Sequence, residues 1–565
     1  GVYMTNTNAS GNIADPVQLW PLHKFWGGNL GLNNGNTFKN MRYGIITENI
    51  ETNVTNNEFD NVAFGIKASK GVIKLQTINK NQFINTAQAI ELNDNKKAVI
   101  SITNNTIHTQ FATSANDLIF GVRIIESAGN SSQLRIADNL IENNGLSGIE
   151  ISNNYGGIIE NNQIIQNSLQ TETSIALSVE NSDSVTISCN KVSSTDSLTI
   201  APTQTAYKFA FAPESQVLCN SSNGTAIGFQ FLANCDLSDI RNNKIKAHDN
   251  GLVLGDVSLT GGVIGPQPGL NQTRGAGNIF EGAYTVSTGT GAAKGFFTHA
   301  ATLSVNSQAA GVQGTNTQFM VYNADSLQVP YPNLSIGSNA TPFTPVLKNK
   351  PSNPCPTVCA IPLKINNGET NFSNAYDYAA AVLLSNNNED ATTHARKVFV
   401  LKAQNQVSTS NPSLASFTQQ YKITNLGNMA LVSDYYKTMK ANDKDVYQKI
   451  ATVLNTMQPN NIVELNWHTL ELIKTENAIE QKPLSQIQYQ IIKNIANQCP
   501  YIGGESVFDA RGIVAGIEHV VYNDATTCQT KPIVKNTHVN TLPFINAYPN
   551  PANQYFNVVY NLSDY

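Results

Sequence analysis

Four charged residues occupy one place in a repeating phrase. Lys67, Glu91, Arg123 and Glu150 each follow a Gly/Ala–Ile/Val pair. Stacked copies of the phrase would put all four on one outward face. Two chemistries suit such a stripe: a carboxylate pair can hydrolyse glycosidic bonds, and a Lys or Arg base beside acidic calcium ligands can eliminate across a uronate. The competing reading is a ladder of ion pairs. The signs alternate, so every member is satisfied by its neighbours, and each exposed pair contributes about 0–1 kcal/mol. An active site usually leaves some charge uncompensated, so the alternation favours the ladder.

Other chemistry finds less support. The eight histidines include no His-x-x-x-His pair, and no Gly-x-Ser-x-Gly, P-loop or EF-hand pattern occurs. Asp236 with Asp239, and Asp249 with Asp256, suit solvated turns better than a calcium site. Trp20 and Trp26, near His23, could form a sugar-stacking platform, but packing in the first coils accounts for them more simply. Cys355 and Cys359 could close a small ring; zinc would need four ligands, and no Cys or His pair lies nearby in the sequence. No metal and no cofactor is expected.

The elements that must position the charged column are coils of a solenoid. The phrase is Asn-x-Phe/Ile followed by Gly/Ala-Ile, with its asparagine at Asn36, Asn57, Asn81, Asn105, Asn139, Asn162 and Asn243. The residues two places on are Phe38, Phe59, Phe83, Ile107, Ile141 and Ile164. A period of roughly 20–25 residues, short β-type runs and no helical periodicity specify a right-handed parallel β-helix. The Phe/Ile positions should form one interior column. Each Asn should sit at a turn that tolerates left-handed backbone and bond to the Asn of the next coil. The longer spacings place outward loops around 111–118 and 170–174, where solenoids usually bind partners.

With 565 residues the chain exceeds one ordinary core. A net charge of −5 argues against a nucleic-acid partner. The chain opens at Gly1 already close to the repeat, which reads as a processed chain or the later part of a longer one. We divide it into a β-helix over 1–285, an irregular β and linker region over 286–360, a helical domain over 361–540, and the start of a further β-domain over 541–565. In the helical domain, Ile462, Leu465 and Leu472, and then Ile487, Ile491 and Ile495, recur at helical spacing, with Ser485 and Gln488 as a capping box. Its expected role is structural support or a cap on the open end of the solenoid. Cys499 and Cys528 bracket one helical unit and are expected to pair. Cys189 and Cys219 each precede an Asn of the ladder and should share a column, and the odd total of seven leaves one thiol unpaired.

The last segment, Tyr548-Pro549-Asn550-Pro551-Ala552, precedes an alternating strand. It resembles the opening of the type A C-terminal sorting domain of the Bacteroidetes type IX secretion system. The long repeat, the Cys189-Asn190 and Cys219-Asn220 pairs and the segment Cys499–Gly504 are also similar to β-helix proteins exported by that system. The resemblance implies export to the cell surface or the medium and contact with type IX secretion components. It also implies O-glycosylation at Ser184, Ser197 and Ser326, each in an Asp-Ser-apolar sequon. The expected function is that of a non-catalytic structural or adhesive protein of an extracellular appendage or assembly. Such a protein would contact surface polysaccharide or other cells and could assemble with further copies. The alternative is a secreted polysaccharide lyase or glycoside hydrolase.

Overall fold

The computed structural model describes residues 35–255 with breaks, short segments between 2 and 27 and between 261 and 336, Cys355 and Cys359, and 372–528 with breaks. One compact unit spans Gly1–Cys528. It is a parallel β-solenoid followed by helices.

Each coil lays down three faces. On the first, Phe38, Phe59, Phe83, Ile107, Ile141 and Ile164 pair in register, as the repeat requires. On the second, Ile45, Ile66, Ile90, Val122, Ile149, Leu177, Tyr207 and Phe229 do so. On the third, Val54, Ile78, Ile102, Ile136, Ile159, Ile187, Val217 and Ile240 follow the same rule. These columns are almost wholly buried. Every buried aliphatic side chain contributes about 1.5–3 kcal/mol, but only once a neighbouring coil covers it. The rings of Phe38, Phe59 and Phe83 stack at 4.9 and 4.7 Å. That stack explains the glycine in the phrase: a Cβ on Gly65 would sit 2.6 Å from the Ala89 carbonyl oxygen and 2.7 Å from Phe83 Cε1.

The asparagine ladder runs unbroken through Asn36, Asn57, Asn81, Asn105, Asn139, Asn162, Asn190, Asn220, Asn243 and Asn278. Each Nδ2 donates to the next Oδ1 at 2.9–3.2 Å. The left-handed residue is not the ladder Asn itself, however. It is the one before: Asn56, Lys80, Asn104, Asp138, Asn161, Cys189, Cys219 and Asn242 carry φ of 54–59°. This bend turns the following Asn side chain inward, where its amide bridges two coils.

The sheet also outruns the expected boundary at 285, because Lys294–Thr298 pairs with Asn250–Leu254, and Leu334–Ile336 pairs with Phe296–Thr298. Among the described residues ten helices follow: α1 Phe372–Ser385, α2 Ala391–Lys402, α3 Pro412–Tyr421, α4 Asn425–Thr438, α5 Lys444–Thr456, α6 Ile462–Glu480, α7 Gln486–Ala496, α8 Pro500–Gly503, α9 Ser506–Ala515 and α10 Asp524–Thr527. The Ser485–Gln488 capping box opens α7. The apolar stripes hold in part. Ile495 is buried as expected and Leu472 packs against the core, but Val463, Leu470 and Ile473 of α6 and Ile492 of α7 complete the buried face, whereas Ile462, Ile487 and Ile491 are exposed.

These helices lie along the flank of the solenoid rather than across its end. The second corner of each coil again takes a left-handed residue: Asp94, Glu126, Asn153, Asn181, Phe211 and Ala233. Helix α9 runs along this column. Asn153 Nδ2 donates to the Phe508 carbonyl at 2.8 Å, and Asn181 Nδ2 to Asp509 Oδ1 at 3.0 Å. Phe211 packs against Tyr501 and Phe508 at 6.2 and 6.0 Å. An aromatic residue in the left-handed region is held at a cost of about 1–3 kcal/mol, which this packing offsets.

Candidate functional site

Lys67, Glu91, Arg123 and Glu150 sit on successive coils in the predicted register. Lys67 Nζ lies 2.8 Å from Glu91 Oε1, and Arg123 Nε lies 3.1 Å from Glu150 Oε1. The column continues through Ser178 to Lys208, whose Nζ lies 2.8 Å from Glu180 Oε1. Lys208 follows Ala206-Tyr207, the phrase with an aromatic in place of Ile; reading that place as aliphatic only hides it. Burial pushes the Glu150 carboxyl up despite Arg123, with the nearby Glu180 adding to the rise. Burial also opposes ionisation of Glu180, but Lys208 outweighs it and holds that carboxyl below its ordinary range. The column is not an open stripe: Glu91 is buried, and Arg123, Glu150, Glu180 and Lys208 are largely covered. Arg511, on α9, carries a bidentate pair with Asp524 at 3.0 and 2.6 Å beside Glu180 and Lys208.

Two of the carboxylates weighed for calcium are committed to arginines. Asp236 accepts from Arg396 Nε of α2 at 2.5 Å in a fully buried pair, and Asp239 pairs with Arg241. Among the described residues, no three His, Cys, Asp or Glu side chains converge to hold a metal ion. Trp20, His23 and Asp256 lie outside the described residues, as do Ser197, Ser326 and the motif Tyr548, Pro549, Asn550 and Pro551. Ser184 is described, and its hydroxyl donates to Glu214 Oε2 at 2.8 Å.

The cysteines overturn one expectation. Cys355 and Cys359 do not close a ring with each other: Cys359 bonds Cys189, and Cys355 bonds Cys219. The Cys359 amide donates to the Cys355 carbonyl at 2.7 Å, so the two thiols share one side of a helical turn. Four residues of helix rise about 6 Å, close to the roughly 4.8 Å between coils. The turn therefore clips two neighbouring coils at once. Cys499 and Cys528 are bonded to each other, and Cys235 is free and buried, its thiol pushed up to about 12 by burial.

The second constellation, which sequence spacing does not reveal, lies where helices meet the solenoid corner. Tyr155 and Asp183 are bridged on adjacent coils. Ser184 and Tyr376 of α1 both donate to Glu214. Lys402 closes α2, and Glu505 and Asp509 stand at the start of α9. Lys402 remains protonated because the neighbouring carboxylates outweigh the burial that opposes its charge. Glu505 is pushed up to about 7 by burial, with Asp183 and Asp509 adding to the rise and Lys402 opposing it.

No family model, no curated protein and no solved structure matches this chain.

Proposed function

We propose that the chain is an exported, non-catalytic scaffold of the cell surface or extracellular space that presents a rigid surface to polysaccharide or to other cells. The observation that carries this reading is the charged column. It spends its charges on one another beneath a helical layer, leaving no uncompensated acid and base together in that stripe. The three disulfides support an oxidising compartment, and export through the type IX system rests on the sorting motif. Stacked coils suit display, since rigidity lowers the ordering cost of binding. Assembly with further copies or into an appendage belongs to the same reading.

A second reading, a polysaccharide-active enzyme, draws on Glu505. A carboxyl held near neutrality beside other carboxylates is the environment of a general acid. One experiment separates the two: incubate the full chain with neutral and acidic polysaccharides and assay for new reducing or unsaturated ends. The scaffold reading expects none. Turnover lost in Glu505→Gln or Arg123→Met variants would overturn it.

A further inference from the structure

At the solenoid corner one aromatic ring stands open. Tyr155 is 43% exposed, although its backbone is locked between coils by the bridge to Asp183 and by the Gly156 amide donating to the Asp183 carbonyl at 2.7 Å. On the next coil Ser184, beside Asp183, donates to Glu214, which also accepts from Tyr376. The ring is thus carried on a backbone fixed between coils while its body faces solvent.

The start of α9, where the Phe508 carbonyl and the Asp509 carboxylate accept from Asn153 and Asn181, brings groups of both hydrogen-bonding kinds to this corner. Lys402 acts on Tyr155 electrostatically and is itself influenced by Asp183, Glu505 and Asp509, but no ion pair within 4 Å is found for it among the described residues. Glu505 likewise shows no hydrogen-bond partner among them. Both side chains are half-buried, so each loses part of its hydration without a protein partner replacing it. An anchored open ring, a donor and an acceptor are what a site needs when a few polar groups must orient a ligand on an apolar surface.

We propose that this corner binds a neutral saccharide, with the Tyr155 ring stacked on the C–H face of a pyranose, Lys402 donating to its oxygens, and Glu505 accepting from its hydroxyls. The charge balance selects the class. Asp183, Glu214, Glu505 and Asp509 outnumber Lys402 and Lys474, whose Nζ lies 3.8 Å from Asp509 Oδ2, and this balance disfavours uronate and sulfated polymers. The Lys402 ammonium beside the ring disfavours a cationic ligand. A ligand with one apolar face and hydroxyls that both donate and accept meets all the groups together. The proposal deepens the scaffold reading by naming what is bound, and it requires no chemical step.

The test uses the full oxidised chain in calorimetric titration with hexamers of glucose, mannose, galactose and xylose, and with a hexa-uronate as the acidic arm. We expect at least one neutral hexamer to bind and the uronate to bind more weakly. Tyr155→Ala should weaken binding roughly tenfold or more, while Tyr155→Phe, which keeps the ring, should stay within about threefold. Lys402→Met should weaken it as well. Tyr155 is exposed, so its variants should keep the wild-type melting curve. The proposal is overturned if no neutral hexamer binds, if Tyr155→Ala binds like wild type, or if the uronate binds best. Release of reducing ends during the titration would sink the non-catalytic reading while leaving the site in place.

Discussion

Replacing Asn139 by Leu tests whether the buried amide ladder, and not only the apolar columns, holds the coils together. Asn139 Oδ1 accepts from Asn105 N and Asn105 Nδ2, both at 2.9 Å. Its Nδ2 donates to Asn162 Oδ1 at 2.9 Å and to the Ile102 and Ala137 carbonyls at 3.0 Å. Leucine has a similar volume and leaves no large cavity, but it removes all five bonds. Most stranded partners keep another bond: Asn105 Nδ2 still reaches the Ile78 carbonyl, and Asn162 Oδ1 still accepts from Asn139 N. The Asn105 backbone N–H is the group left with none shown. One orphaned buried donor costs about 1–3 kcal/mol and each of the four remaining lost bonds about 1 kcal/mol net, so the variant should lose roughly 5–7 kcal/mol.

Hydrogen exchange on the native protein is the assay, because solenoid stability is transmitted coil to coil. Protection should fall most at the amides of Asn105 and Asn162 and least at Asn57 and Asn243. Asn139→Asp sharpens the test. Its carboxylate would keep the two contacts from Asn105 but turn its other oxygen toward three acceptors, so the folded state raises its pKa. That variant should be best tolerated in acid and lose stability as pH rises through the carboxyl range. A loss below about 1 kcal/mol for Asn139→Leu, or equal loss along the whole rod, would refute the reasoning.

Three further outcomes follow from the same geometry. Cys355→Ser with Cys359→Ser should lower stability strongly. In the chain-entropy account the bonds span 170 and 136 residues, the first is worth about 5 kcal/mol, and the second, closing a much shorter remaining ring, roughly 4; a denaturant-measured loss below about 2 kcal/mol would show that packing alone holds the clipped segment. Glu505, raised from 4.5 to about 7, contributes stability that is full below pH 4.5 and lost as pH rises through 7. Partial exposure reduces this to roughly 2 kcal/mol, and urea midpoints of Glu505→Gln should fall less than wild type between pH 5 and 8. Gly65→Ala should cost about 1–3 kcal/mol by forcing its Cβ onto Phe83 and the Ala89 carbonyl, and adding Phe83→Ile should recover part of the loss in thermal melts.

The solenoid was legible because its information is repetitive: Phe38, Phe59 and Phe83 do the same job in successive coils, so spacing alone exposes them. The charged column was legible for the same reason, up to the point where Tyr207 replaced the expected aliphatic. What failed depends on contacts between segments remote in sequence. The stripe of α6 was misread because its buried face is partly polar. Glu464 is buried against Asn425 and the Asn460 amide, Glu471 against Tyr436, and Asn466 against Gln498. An apolar periodicity passes over such a face and selects Ile462 instead. The partners of Cys355 and Cys359, and the cluster joining Tyr155, Lys402 and Glu505, each unite positions more than a hundred residues apart, and no local pattern marks them.

The clip connects these two kinds of information. Cys355 bonds the later coil, at Cys219, and Cys359 the earlier one, at Cys189. From Cys355 to Cys359 the attachment therefore steps back by one coil. The helices that follow do not keep that direction: α1 reaches Glu214 through Tyr376, α2 reaches the later coil at Asp236 through Arg396, and α9 returns to Phe211, Asn181 and Asn153. The helical layer is thus pinned to the flank coil by coil through its own contacts, with the disulfides at the left-handed Cys189 and Cys219 as a further attachment. The corner bearing Tyr155 is built from both parts: neither the coils nor the helices contain it alone, and it exists only where they meet.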